Sequence, residues 1–181
     1  MYGPYIEGPR VTLAPPIAAY IPDYLRWFSN PRVTRYLKVR NPPSLEQEQQ
    51  FLAHKAVDPN SVLWAILLGE RLIGGTGIDA IDWRNRTAKT GIVIGERDCW
   101  GQGYATEVMR LRTAYAFDEL GLETLTTLVY APNEASRRAL LSAGYREVGW
   151  LHRHVYLEGA FHDVWLGEIT REDWRQAQSQ S

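Results

Sequence analysis

Apolar and polar positions along the chain follow two periods. Ser61 to Leu68, Arg71 to Ile78, Ala88 to Ile94 and Thr124 to Tyr130 are short, β-prone apolar runs. Turn residues bound them, which predicts strands. Gly69-Glu70 and the polar stretch Asp82 to Arg86 connect the first three as a meander. An earlier strand, Arg10 to Leu13, ends at Pro15 and Pro16. Arg146 to Leu157 and Ala160 to Ile169 flank Glu158-Gly159 as a hairpin.

The helical period appears four times. Pro22-Asp23 opens a helix carrying Tyr24, Leu25, Trp27 and Phe28, and the chain turns at Asn30-Pro31. Ser44, with Gln47 three residues on, forms a capping-box pattern for a helix to about Val57, which Asp58-Pro59-Asn60 stops. In Ala105 to Leu120, Val108, Leu111 and Tyr115 share a stripe with Ala105, Met109 and Ala116, and Gly121 stops it. Asn133 caps a short helix, Glu134 to Ala143, which Gly144 terminates. The order β-α-α-β-β-β-α-β-α-β-β predicts an α/β (α+β) domain with a mixed sheet, not a doubly wound one. Trp174 closes this domain, expected over residues 1–175, and 176–181 reads as a polar tail.

Composition narrows the partners. The 181 residues suit one domain with a proper core. Twenty basic residues against twenty-one acidic ones leave a net charge of -1, so neither nucleic acid nor a membrane surface is the expected partner. A single cysteine, Cys99, excludes a disulfide framework and fits a reducing, cytoplasmic setting. Met1-Tyr2-Gly3-Pro4 shows no basic segment followed by an apolar run, so no export signal is expected. No metal site is expected either.

The stretch GERDCWGQGYATE, from Gly95, lies between a strand and a helix. Gly103 is followed by Tyr104-Ala105, without the lysine and hydroxyl residue of a P-loop. Thr106 stands where a dinucleotide fingerprint needs its third glycine. Two readings remain. One is a plain strand-to-helix turn. The other is a glycine turn whose backbone N–H groups, at the positive end of the helix, hold a pyrophosphate.

At this point the chain, from about Val11 to Trp174, resembles the GNAT superfamily of N-acetyltransferases. Trp100-Gly101-Gln102-Gly103-Tyr104-Ala105 is similar to that superfamily's Q/R-x-x-G-x-G/A loop, and NEASRRALLSAGY, Asn133 to Tyr145, to its N-x-x-S/A…G-F/Y segment. The closing EGAFHDVWLGEITREDW resembles the subgroup that acetylates ribosomal-protein N-termini (Rim-type) and polyamines. The resemblance implies a mostly antiparallel sheet of about seven strands with about four helices, strands 4 and 5 splayed for acetyl-CoA. It implies cofactor contacts from Ile92, Val93 and Ile94 along the pantetheine arm. Trp100, Gly101, Gln102, Gly103, Tyr104, Ala105 and Thr106 would lie at the pyrophosphate, Asn133 at the pantetheine amide, and Arg137 or Arg138 at the adenosine phosphates. A backbone N–H near Val93 or Ile94 would stabilise the oxyanion.

Two departures stand out. Trp100 occupies a place where the family usually has Gln or Arg, and Arg97 is the nearest replacement charge. Leu140 stands where many members carry a tyrosine that protonates the leaving thiolate. Ser136, in the first turn of the Asn133 helix, is the expected substitute. Asn133 has a second reading as a plain N-cap. The base is sought among Asp82, Glu96, His152, His154, His162 and Asp163, with Asp163 favoured as catalytic. Cys99 is not a proposed nucleophile, because direct transfer needs no acyl-enzyme.

The expected activity is acetyl transfer from acetyl-CoA to a primary amine: a protein N-terminus, a polyamine or a small amine. The expected assembly is a monomer or homodimer. The alternative is a catalytically silent acyl-CoA-binding sensor or protein-interaction module, motivated by Leu140.

Overall fold

In the computed structural model, which describes residues 1–39 and 41–179, alternation along one central strand explains the layering. Strand β3, Val62–Leu68, sends Val62, Trp64 and Ile66 into one apolar cluster, and Leu63, Ala65 and Leu67 into another. Successive side chains of a strand point to opposite faces. Both faces are apolar, so both must be covered by helices.

Helix α1, Ile21–Phe28, and helix α3, Leu45–Val57, cover one face through Ile21, Tyr24, Trp27 and Leu52. Helix α4, Tyr104–Asp118, packs on the other through Val108, Met109, Ala116 and Phe117. Leu140 and Ala143, at helix α5, Glu134–Ser142, join that second cluster. The capping box at Ser44 and Gln47 forms as its spacing predicts, with both hydrogen bonds made.

The sheet has eight strands in the order β1-β2-β3-β4-β5-β6-β8-β7. Their ranges are β1 Ile6–Glu7, β2 Thr12–Ala14, β4 Arg71–Asp82, β5 Thr87–Ile94, β6 Thr124–Tyr130, β7 Arg146–Leu157 and β8 Ala160–Thr170. Every neighbouring pair is antiparallel except β5 with β6. The class is as expected and the counts are slightly higher. The first expected strand, Arg10 to Leu13, corresponds to β2 alone, β1 is an additional short strand ahead of it, and the turn at Asn30-Pro31 nucleates a one-turn helix α2, Pro31–Thr34. Pro31 at its first position and the Asn30 side chain, which accepts from the Arg32 N–H, explain that turn. After Trp174 the chain does not stop: helix α6, Arg171–Gln178, is capped by Thr170 and Asp173. No helix among the described residues is long and apolar enough to cross a membrane.

Candidate active site

Strands β5 and β6 pair in register only at Thr87–Thr124, Ala88–Leu125 and Lys89–Thr126. Each is held by its outer neighbour: β6 pairs along its whole length with β8, while β5 follows β4 to Ile94. The Thr127 hydroxyl still reaches the Thr90 carbonyl at 3.2 Å, and beyond it the strands part. A cavity of about 470 Å³ fills the gap. On the α4/α5 side it is lined by Ile92, Met109, Arg112, Asn133, Ser136 and Leu140. Residues Tyr36 to Lys38, after α2, and His154 of β7 also border it.

The edge of β5 along this gap is polar backbone. The Thr90 carbonyl faces β6, and the Ile94 carbonyl accepts from Trp100. Gly74 of β4 is so close to the Val93 carbonyl that an added Cβ would stand 2.2 Å from that oxygen. Strand alternation therefore turns the N–H groups of Ile92 and Ile94 into the gap and those of Gly91 and Val93 toward β4. Val93, expected to bind the cofactor and donate to an oxyanion, has its backbone on β4 and its side chain in the α1/α3 cluster. Ile92 and Ile94 turn their backbone toward the gap, and Ile92 borders the cavity.

The glycine turn leads from this edge into α4. Gly101 and Gly103 have φ of 73° and 82°, in the left-handed region that residues with a Cβ avoid. Gly103 is the N-cap and brings no side chain, so the first N–H groups of a 15-residue helix lack a side-chain partner. Such unpaired N–H groups, with the helix dipole behind them, suit an anion. The Gln102 side chain donates to the Asp98 carbonyl, and the Gln102 backbone carbonyl accepts from Arg10 at 2.9 Å. Arg10 also pairs with Glu107 at 2.8 Å and lies over the Tyr104 ring. This brace from the N-terminal segment is absent from the loop motif, so sequence reasoning missed it. Tyr104 and Ala105 pack against the core, which leaves their backbone for a ligand. Thr106 lines a separate hollow with Arg10 and Trp174.

Trp100 keeps its ring half exposed and donates its indole N–H to Ile94. Arg97 lies 5.9 Å from that ring, bringing a guanidinium beside the turn. Glu96 is a structural hub: its carboxylate takes Arg26, Arg71 and the Trp27 indole N–H. Burial pushes its carboxyl up, but those hydrogen bonds outweigh burial and hold it below the usual range. Cys99 is buried, and burial pushes its thiol up, away from nucleophilic use.

The remaining expected residues divide. Asn133 Oδ1 accepts from the Ser136 N–H at 3.3 Å, so Asn133 is an N-cap and also borders the cavity. Ser136 borders it too. Arg138 pairs with Glu134 along the exposed face of α5, and Arg137 lies over Trp150. Asp163 does not line the cavity. Its carboxylate accepts from the Arg153 N–H at 2.8 Å and sits 3.1 Å from His152 Nδ1, and both contacts hold its pKa down. It stabilises the β7 irregularity where Arg153 has φ of 50°. Asp82 closes its own turn through Asn85, and His162 meets the Leu157 carbonyl. His154 alone of the base candidates borders the cavity.

Arg112 was also missed. It is 1% exposed, beneath the splay. One Nη donates to Thr76 Oγ1 and to the Gly91 carbonyl, both at 2.7 Å. Its signal was in the sequence: four residues after Val108 and three after Met109, it occupies the apolar stripe of α4.

Comparison with known proteins agrees with this geometry. Residues 10–146 match the family model described as an acetyltransferase (GNAT) domain. YoaA of Bacillus subtilis (strain 168), described as an uncharacterized N-acetyltransferase, is 34% identical over 150 residues, covering 80% of this chain and 84% of that protein. The structure of spermidine N-acetyltransferase from Vibrio cholerae in complex with CoA and spermine matches with a TM-score of 0.85 at 19% identity, over 93% of this chain and 99% of that one. Mycobacterium smegmatis RimJ in complex with CoA-disulfide matches with a TM-score of 0.81, also at 19% identity, over 94% and 88%. At that identity the two structures testify to fold. The family match spans the glycine turn, the splay and the Asn133 helix together, so the chain belongs to the GNAT acetyltransferases, N-acetyltransferases whose co-substrate is acetyl-CoA.

Proposed function

We propose that this chain acetylates a primary amine that carries little extra positive charge, with a protein N-terminus favoured over a polyamine. The observation that carries this is the lining of the splay: among the described residues that border it, the charged side chains are Lys38 and Arg112, and none is a carboxylate. A polycationic acceptor needs carboxylates around it, and a site walled by cations repels it.

The residues fit acetyl-CoA by the uncapped start of α4, the two left-handed glycines and the open edge of β5. The α4 N–H groups would hold the pyrophosphate, and Ile92 and Ile94 the pantetheine arm by backbone bonds, as an added strand does. Acetyl-CoA supplies the thioester. Ile92 N–H donates to its carbonyl oxygen as charge gathers there. His154 accepts the proton that the attacking amine loses, directly or through water. The Ser136 hydroxyl donates to the sulfur as the carbon–sulfur bond breaks, in place of the tyrosine that Leu140 replaces.

Thiol release from acetyl-CoA, measured with peptides bearing free N-termini and with spermidine, tests this. Peptide turnover exceeding spermidine turnover is expected. Preference for spermidine would overturn the acceptor assignment. Tight acetyl-CoA binding with no amine turned over would favour the silent sensor.

A further inference from the structure

Several surface arginines of this protein have carboxylate partners: Arg10 has Glu107, Arg26 has Glu96, Arg71 has Asp98, Arg86 has Glu123 and Arg146 has Glu168, while Arg97 and Arg137 lie over rings and Arg110 donates to the Ser142 carbonyl. The most buried arginine has none among the described residues. Arg112 meets only neutral oxygens, those of Thr76, Gly91 and, at 3.5 Å, Tyr145. Its Nε is buried with no hydrogen-bond partner. A buried guanidinium without a counter-charge is costly, and a leucine or methionine would suit the apolar stripe of α4 better. Arg112 also borders the cavity of the splay, between Met109 and Leu140.

We propose that Arg112 is the carboxylate-binding floor of the acyl pocket. The chain then accepts, besides acetyl-CoA, the CoA monothioester of a short dicarboxylic acid such as succinate, and transfers a carboxyacyl group to its amine. This rests on the reading that the thioester lies in the splay. The carboxylate is assigned to the donor and not to the amine by position. Arg112 stands on α4, the helix whose start holds the pyrophosphate turn. Tyr36 to Lys38 and His154, where an amine would meet its base, belong to other elements of the lining. The chemistry is unchanged and balanced. The amine nitrogen bonds to the acyl carbonyl carbon, and the carbon–sulfur bond breaks. One proton passes from the amine to His154 and on to solvent, and the thiolate, hydrogen-bonded by the Ser136 hydroxyl, takes one proton back from solvent. The distal carboxylate stays paired with the Arg112 guanidinium throughout, a charge-assisted contact that supplies the counter-charge it lacks among the described residues.

The test is calorimetric titration with two stable thioethers of similar size, S-carboxypropyl-CoA and S-butyl-CoA, with acetyl-CoA as reference. Wild-type protein is expected to bind the carboxylate thioether about tenfold more tightly, or better, than the butyl one. R112L should reverse that order and R112K should retain part of it, with thermal denaturation of each free variant confirming that it folds. Acetyl-CoA binding without preference for the carboxylate thioether would overturn the proposal and leave the site reading intact. Binding of neither thioether nor acetyl-CoA would overturn both. If a free amino acid, 4-aminobutyrate, loses affinity in R112L while the thioethers do not discriminate, the carboxylate belongs to the acceptor and the proposal is wrong.

Discussion

The indole N–H of Trp100 donates to the Ile94 carbonyl at 2.8 Å, so the turn ties itself to the end of the strand it leaves. A guanidinium or amide at this position would reach for a phosphate; the indole fixes the loop instead. Trp100→Phe keeps the ring and removes the donor. The KM for acetyl-CoA should rise about five- to tenfold, the worth of one ordinary hydrogen bond, with kcat little changed. Steady-state kinetics with varied acetyl-CoA checks this, and an unchanged KM refutes the fixing role.

Gly95 lies face to face with a tryptophan. A Cβ at Gly95 would stand 2.0 Å from the Trp27 ring, which is 1% exposed and anchored to Glu96. Gly95→Ala should cost about 1–3 kcal/mol of stability through overpacking. Urea denaturation measures it, and a loss below about 0.5 kcal/mol would show that the ring moves aside freely.

Gly103→Ala separates conformation from binding. At φ of 82° a Cβ costs about 1–2 kcal/mol, and the nearest neighbour it would meet is the Arg10 guanidinium at 3.4 Å. The variant should fold with a modestly lower Tm, yet lose most of the thermal stabilisation that acetyl-CoA confers on wild type. Full retention of that ligand-induced shift would remove the turn from the binding site.

Ser136→Ala should lower kcat roughly ten- to a hundredfold while leaving the affinity for acetyl-CoA unchanged, because its hydroxyl acts as the sulfur leaves. Equal loss in Kd and kcat would reassign Ser136 to binding.

Glu48 gives a pH signature. It is 5% exposed on α3, and burial raises its carboxyl above the usual range. A raised folded-state pKa means that the native protein holds the proton more tightly than the unfolded chain does. That contribution is present below the unfolded pKa and is lost as pH rises through the folded one. Ionised Glu48 is therefore a burden at neutral pH. Glu48→Gln should raise Tm near neutrality and change it little near pH ~4, where wild type is already largely protonated. Melting curves across pH decide it, and a Tm gain independent of pH would point to another cause.

Periodicity and punctuation made most elements legible: Thr124 to Tyr130 and the Arg146–Leu157 strand coincide with their apolar runs, and Ser44, Asn133 and Gly144 act at helix ends as their types predict. Helix α2 was hidden because Asn30-Pro31 signals a turn and a helix start equally well. The glycine turn was legible as a motif, and Gly101 and Gly103 do take left-handed φ. Which backbone groups of β5 turn toward the gap, those of Ile92 or those of Val93, depends on strand register, which no local pattern reveals. Arg10 and Glu107 meet across 97 positions of sequence, and nothing local announces such a pair. Asp163 looked catalytic because its residue type allows it; only the partners at Arg153 and His152 show it engaged elsewhere.

Among the described residues, the three pairs that join β5 to β6 are the only ladder between the two parts of the sheet. Mechanically the sheet is two plates on a short hinge, five strands on one side and three on the other. On the proposed placement, a ligand arm laid along β5 and braced against α5 would act as a clamp across that hinge. Occupied protein should therefore be stiffer in its C-terminal plate as well as at the ligand, and release of CoA should coincide with the widest opening of the seam.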